Sequence, residues 1–175
     1  REGQVELCLH RLSVAPGDCF FIPSGTLHAI GEGVLLAEVQ QSSDLTFRLF
    51  DWNRLGEDGQ PRPQHVAEAL ACTNFELGPL FPVVPQPMAS GPPLKELLVE
   101  CPYFVMCRYT GGGQARLADD RRCRAVMQLA GSARLEAAGC DLELTAGQTV
   151  LVPASALPAS LLLAEGAVSL EVYWS

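Results

Sequence analysis

Apolar residues along this chain come in short runs separated by Gly, Pro and Asp. Residues 5–9 are apolar-rich, and Leu12-Ser13-Val14 alternates before stopping at Pro16-Gly17-Asp18. Cys19-Phe20-Phe21-Ile22 is continuously apolar and is bounded by Pro23-Ser24-Gly25. Residues 34–39 form another such run, and residues 45–50 alternate again. Short runs of this kind between turn residues predict strands. Many short strands predict a β-sandwich or barrel. Val66, Ala69 and Leu70 fall instead at helical spacing, so a short helix is expected over residues 66–72. The stretch 74–93 holds six prolines and little that can pair in a sheet, which predicts a connection between two β units. Strands are expected again over 97–109 (one long or two broken), 125–129, 133–137, 142–144, 149–152, 161–164 and 168–174, with a turn at Gly131.

An internal repeat organises these runs. Residues 12–18 align with 142–148, residues 19–22 with 149–152, and Pro23-Ser24 with Pro153-Ala154, at a constant offset of 130. Each copy reads strand, Gly turn, apolar strand, Pro turn. The second copy has several strands ahead of Leu142, whereas only eleven residues precede Leu12. A half barrel leaves an unpaired edge, so the opening strands of the first unit are expected from residues upstream of Arg1. The expected domains are residues 1–73, a Pro-rich connection over 74–96, and residues 97–175.

Composition narrows the function classes. Hydrophobic residues make up 48% of the chain, enough for a packed core. The formal net charge of −8 argues against nucleic acid as a partner, because phosphate backbones need clustered cations. It leaves room for a small phosphorylated ligand held by one or two arginines. Seven cysteines, an odd number with no C-x-x-C pair, read as reduced thiols of a cytoplasmic protein. No run is long and apolar enough to predict a membrane span, and oligomeric state is left open.

The candidate chemistry sits in the first unit. Pro16-Gly17-Asp18, then Pro23-Ser24-Gly25-Thr26-Leu27-His28, resembles the second motif of cupins, G-(D)-x4-P-x-G-x2-H. That resemblance implies a metal-ligating role for His28. Neutral imidazole is a good ligand for Zn, Fe or Mn. At the aligned position of the second copy stands Pro158, which has no donor atom, so that unit is a poor candidate for a metal site.

The segment that follows is more specific. His28-Ala29-Ile30-Gly31 leads to Glu38-Val39-Gln40-Gln41-Ser42-Ser43-Asp44-Leu45-Thr46-Phe47-Arg48-Leu49-Phe50-Asp51. It resembles the short bacterial form of the class I mannose-6-phosphate isomerases, whose signature runs G-T-x-H-A-I-G, then E-(I/V)-Q-Q-x-S-D-x-T-(Y/F)-R-x-(Y/F)-D. The strong resemblance covers residues 13–72. It implies tandem cupin-like β-barrel or jelly-roll units, all-β apart from the one helix, with the first unit truncated at its N-terminus and the second degenerate. It also implies an aldose–ketose isomerase that interconverts mannose 6-phosphate and fructose 6-phosphate through a cis-enediol at one zinc ion.

In that family His28 matches a zinc ligand and Arg48 the active-site arginine. The family's Gln-x-His and Glu ligands have no counterpart here and are expected upstream of Arg1. A guanidinium at position 48 is suited to steadying enediolate oxygens or holding the phosphate. Glu38, Gln41 and Asp44 are candidate substrate-binding residues, each with a solvated strand or turn as the alternative. Asp51 is expected to pair with an arginine such as Arg54. Two other functions stay open: another metal-dependent cupin enzyme, and a non-catalytic sugar-binding or regulatory cupin.

Overall fold

The computed structural model describes residues 5–43 and 45–175. The chain divides into two compact units, Arg1–Pro82 and Val83–Ser175.

The second unit carries the sheets. A six-stranded sheet has the order β1-β2-β3-β10-β5-β8 and a four-stranded sheet the order β4-β9-β6-β7. The strands are β1 (Gln86–Ala89), β2 (Leu94–Glu100), β3 (Val105–Thr110), β4 (Gly113–Leu117), β5 (Arg124–Ala130), β6 (Ser132–Ala137), β7 (Cys140–Thr145), β8 (Thr149–Val152), β9 (Ala159–Leu163) and β10 (Val168–Tyr173). All pairings are antiparallel. One hydrophobic cluster draws on both sheets. Tyr109, Val126 and Val152 come from the larger sheet, and Ala115, Leu117, Ala133, Leu135, Leu144, Leu161 and Leu163 from the smaller.

Neither sheet closes into a barrel, which corrects the expected barrel or jelly-roll units. The six-stranded sheet ends at β1 and β8 and the four-stranded sheet at β4 and β7, and no ladder joins one sheet to the other. Closure needs hydrogen bonds across those edges. The turn at Gly131 (φ +66°) shows how the chain stays open. It links β5 to β6, but these neighbours do not pair. β5 bonds to β10 and β8, and β6 to β7 and β9. The turn thus hands the chain from one sheet to the other. A side chain at Gly131 would come within 3.0 Å of the Ala167 backbone, so glycine is required there.

Two strands were not expected. β1 lies in the Pro-rich stretch, at a sheet edge, with a register shift between Pro87 and Ala89. An edge position with a bulge is where a strand tolerates proline. β4, in Gly-Gln-Ala-Arg-Leu, is too short and mixed for its alternation to stand out.

The first unit contains one α-helix, α1 (Val66–Cys72), over the expected residues, and a 3-10 turn at Val5–Cys8. The strands expected over 5–50 do not form among the described residues. Among the described residues of this unit, the ladder contact is an isolated bridge between Leu55 and Pro61, outside that stretch. Apolar alternation supplies a face, but a strand also needs a hydrogen-bonded neighbour. Phe21, Ile22, Val34, Leu36 and Phe47 accordingly remain exposed.

The repeat nevertheless survives in the turns. Asp18 N–H donates to Ala15 C=O at 3.1 Å, and Gln148 N–H to Thr145 C=O at 3.1 Å. The side chains of the same pair close the turn back: Asp18 Oδ2 accepts from Ala15 N–H, and Gln148 Oε1 from Thr145 N–H. Gly17 and Gly147 stand at φ +94° and +90°. The Pro turns match too, Thr26 N–H to Pro23 C=O at 3.2 Å and Ala156 N–H to Pro153 C=O at 2.9 Å.

Candidate functional site

His28 follows the Pro23 turn, and two contacts fix that turn. Gly25 (φ +85°) accepts through its C=O from Asn74 N–H at 2.9 Å. A Cβ at Gly25 would lie 3.0 Å from Cys72 C=O and 3.2 Å from Asn74 N. The turn is therefore seated on the C-terminal end of α1. His28 itself is exposed, with Nδ1 2.9 Å from Thr26 C=O. A carbonyl only accepts, so Nδ1 is the donor, and in the neutral ring Nε2 then carries the lone pair. That is the tautomer a metal ligand or proton acceptor needs.

Arg48 is held by its backbone at the other end of α1. Its N–H points at His65 Nδ1 at 3.4 Å, and its C=O accepts from His65 N–H at 2.8 Å. His65 is the N-cap of α1 and packs edge-on against Phe47 with ring centroids 6.1 Å apart. One short helix thus anchors the segments of both His28 and Arg48. The Arg48 side chain is half-buried, and no hydrogen bond or ion pair joins it to His28, Glu38 or Gln41. Glu38 and Gln41 are exposed. Asp44 lies outside the described residues.

Next to Arg48 a charge cluster steadies the chain. Asp51, 4% exposed, pairs with Arg54 at 2.5 Å as expected, and Arg62 Nε lies 3.2 Å from its other oxygen. The Arg62 contact is close enough for charge pairing but misaligned for a hydrogen bond. Trp52 and Asn53 follow at φ +50° and +55°, and Arg54 N–H closes the turn onto Asp51 C=O at 3.0 Å. A bulky residue such as Trp52 seldom adopts that conformation, and its indole N–H donates to Glu6.

No group of three or more His, Cys, Asp or Glu that could hold a metal ion occurs among the described residues. A catalytic zinc takes three protein ligands, and His28 offers one. These residues alone do not make up a zinc site.

The second unit holds a charged cluster that sequence reading missed. Glu171, 1% exposed, accepts from Tyr109 Oη–H at 2.8 Å and Lys95 Nζ at 3.1 Å, and Arg124 Nε lies 2.9 Å from its other oxygen. Burial first, then the Glu171 charge and hydrogen bond, push the Tyr109 phenol well above its usual range, so it stays protonated as the donor. Burial likewise raises the Cys107 thiol. Beside this cluster Asp120 pairs with Arg122 at 2.6 Å, and Arg124 is in β5 and buried.

Comparison with known proteins gives the site its context. No family model matches the chain. It is 31% identical over 151 residues to mannose-6-phosphate isomerase ManA of Bacillus subtilis, covering 86% of this chain and 48% of that protein. It is 28% identical over 151 residues to the mannose-6-phosphate isomerase of Streptococcus mutans, covering 86% and 47%. The crystal structure of the Bacillus subtilis mannose 6-phosphate isomerase superposes with a TM-score of 0.63 at 22% identity, over 74% of this chain and 40% of that one. Over 86% of its length the chain is similar to mannose-6-phosphate isomerases. It spans about half the length of the curated isomerases it matches. The structural likeness to the Bacillus subtilis isomerase is one of fold.

Proposed function

We propose that this chain serves an aldose–ketose isomerase that interconverts mannose 6-phosphate and fructose 6-phosphate. The observation that carries the reading is the match to mannose-6-phosphate isomerases over most of the chain, at 31% identity to one of them. The residues support it locally. His28 presents a free Nε2 beside a turn fixed by α1, and Arg48 stands on a backbone fixed by the same helix.

In this reading Arg48 supplies a planar fork of cationic donors. It steadies the oxyanion that develops as a proton leaves C2, or holds the phosphate. Glu38, Gln41 and Asp44 are the residues assigned to the sugar hydroxyls. His28 is the donor this chain offers to a zinc ion, whose other donors come from outside the described residues. The absence of a three-ligand cluster among the described residues favours a second reading, a non-catalytic sugar-binding cupin.

A coupled assay on the full-length product of the gene separates the two. Isomerisation that a chelator abolishes is expected. His28→Ala should lose bound metal, and Arg48→Ala should keep it while turnover falls on the order of 100-fold, the usual cost of one oxyanion donor. No turnover in the unaltered protein supports the binding reading. Unchanged metal content in His28→Ala would sink the ligand assignment.

A further inference from the structure

Of the strands that end the two sheets of the second unit, all but β8 are blunted. β1 has Pro87 and a register shift beside it. β4 carries Arg116, and β7 carries Asp141 and Glu143. Charge, proline and bulges are what keep a sheet edge from pairing with another chain. β8, Thr149–Val152, has none of them. No charged side chain occurs anywhere from residue 144 to residue 164.

The ladder to β5 determines which backbone groups of β8 are open. Gln128 N–H donates to Gln148 C=O at 2.9 Å. Antiparallel partners alternate between bonded and non-bonded pairs, and the register from Met127–Thr149 to Arg124–Val152 runs without a shift. Val150 and Val152 therefore bond to β5, while Thr149 and Leu151 turn their N–H and C=O to the open side. No backbone bond among the described residues reaches them there. The side chains beside that edge are apolar. Leu151, 67% exposed, stands next to Ala125, and Leu129, 41% exposed, follows Met127 on the same face of β5.

An open edge takes a strand, and the chemistry of this one selects which. A basic partner drawn to a chain of net charge −8 finds no carboxylate on β8 or its flanking turns. Two copies of an acidic chain repel through most of their surface and meet at least cost where charge is absent. The edge is also complementary to itself. A two-fold axis through Val150 sets Thr149 opposite Leu151 of the second copy. Both turn their backbone groups outward, so each open N–H and C=O finds a partner. The same axis covers each exposed Leu151 and closes both edges at once.

We propose that β8 is the contact edge of a two-fold dimer of this chain, in which the six-stranded sheets of two copies join antiparallel. The dimer does not depend on the isomerase reading, because His28 and Arg48 belong to the other unit.

Light scattering after size exclusion, together with amide hydrogen exchange read residue by residue, tests this on the full-length protein. The unaltered protein should show twice the mass of its chain. Its Thr149 and Leu151 amides should exchange slowly, like those of Val150 and Val152. Leu151→Lys puts a charge on the edge and leaves the bonds to β5 in place. It should halve the mass and release the Thr149 and Leu151 amides, with Val150 and Val152 still protected as the sign of an intact fold. Leu35→Lys, the same change at a fully exposed leucine of the other unit, should remain a dimer. A monomeric unaltered protein overturns the proposal, and slow Thr149 and Leu151 amides in that monomer would assign the edge to another part of the same chain. Fast Thr149 and Leu151 amides in an unaltered dimer, or a dimer that survives Leu151→Lys, overturn it as well.

Discussion

Single residues in the second unit separate buried from exposed charge. Glu171 is enclosed by Lys95, Arg124 and Tyr109, so Glu171→Gln takes a counter-charge from buried Arg124 and partly buried Lys95. A loss of about 3 kcal/mol in urea unfolding is expected, the usual result of breaking a buried pair. Arg134 pairs with Asp141 at the surface, and Arg134→Ala should leave the midpoint where it was. Asp120 adds a pH dependence. Burial acts upward on its carboxyl, but hydrogen bonds from Arg122 and Arg124 outweigh it and hold the pKa at about 2. A depressed folded pKa contributes stability above the ordinary value and loses it as pH falls through the folded one. The urea midpoint should therefore drop between about pH 4 and about pH 2. Asp120→Asn should flatten that part of the curve, and an equally steep acid limb in the variant would refute the assignment.

At the scale of elements, the helix and most strands of the second unit were legible, while other features were hidden for physical reasons. Val66, Ala69 and Leu70 marked α1 because helical spacing needs no distant partner. Residues 12–22 carry the same pattern as 142–152, yet only the second copy forms strands, because pairing depends on a neighbour that a local pattern does not contain. The charged cluster was invisible for the opposite reason. In β10 the alternation of Ser169, Glu171 and Tyr173 with Leu170 and Val172 reads as a polar outer face, whereas both faces of that strand are buried. Of the site, the Asp51–Arg54 pair was foreseeable, but the role of α1 in anchoring both candidate segments was not. That role is testable. Gly25→Ala should cost more than the roughly 1–2 kcal/mol of a left-handed alanine, because its Cβ also meets Cys72 C=O at 3.0 Å. Gly33→Ala, at φ +75° with open space around it, should show the backbone cost alone in thermal unfolding. Equal losses would mean that the turn does not bear on the helix.

Across the whole molecule, the signature motif and most of the packing lie in different units. The motif residues fall within Arg1–Pro82, where Ala69 is the buried apolar side chain, and the remaining core residues belong to Val83–Ser175. Burial of apolar surface is the main source of folding stability. A fragment of residues 83–175 should therefore unfold cooperatively in urea by circular dichroism, and a fragment of residues 1–82 should not. A sigmoidal transition in the shorter fragment would contradict this.

The solitary lysine has a practical corollary. Acylating tags aimed at side-chain amines would find a single target in these 175 residues, and it is tied to Glu171 with only 24% of its side chain open to solvent. Its rate of modification would therefore serve as a built-in reporter, slowing whenever something occupies the space beside it.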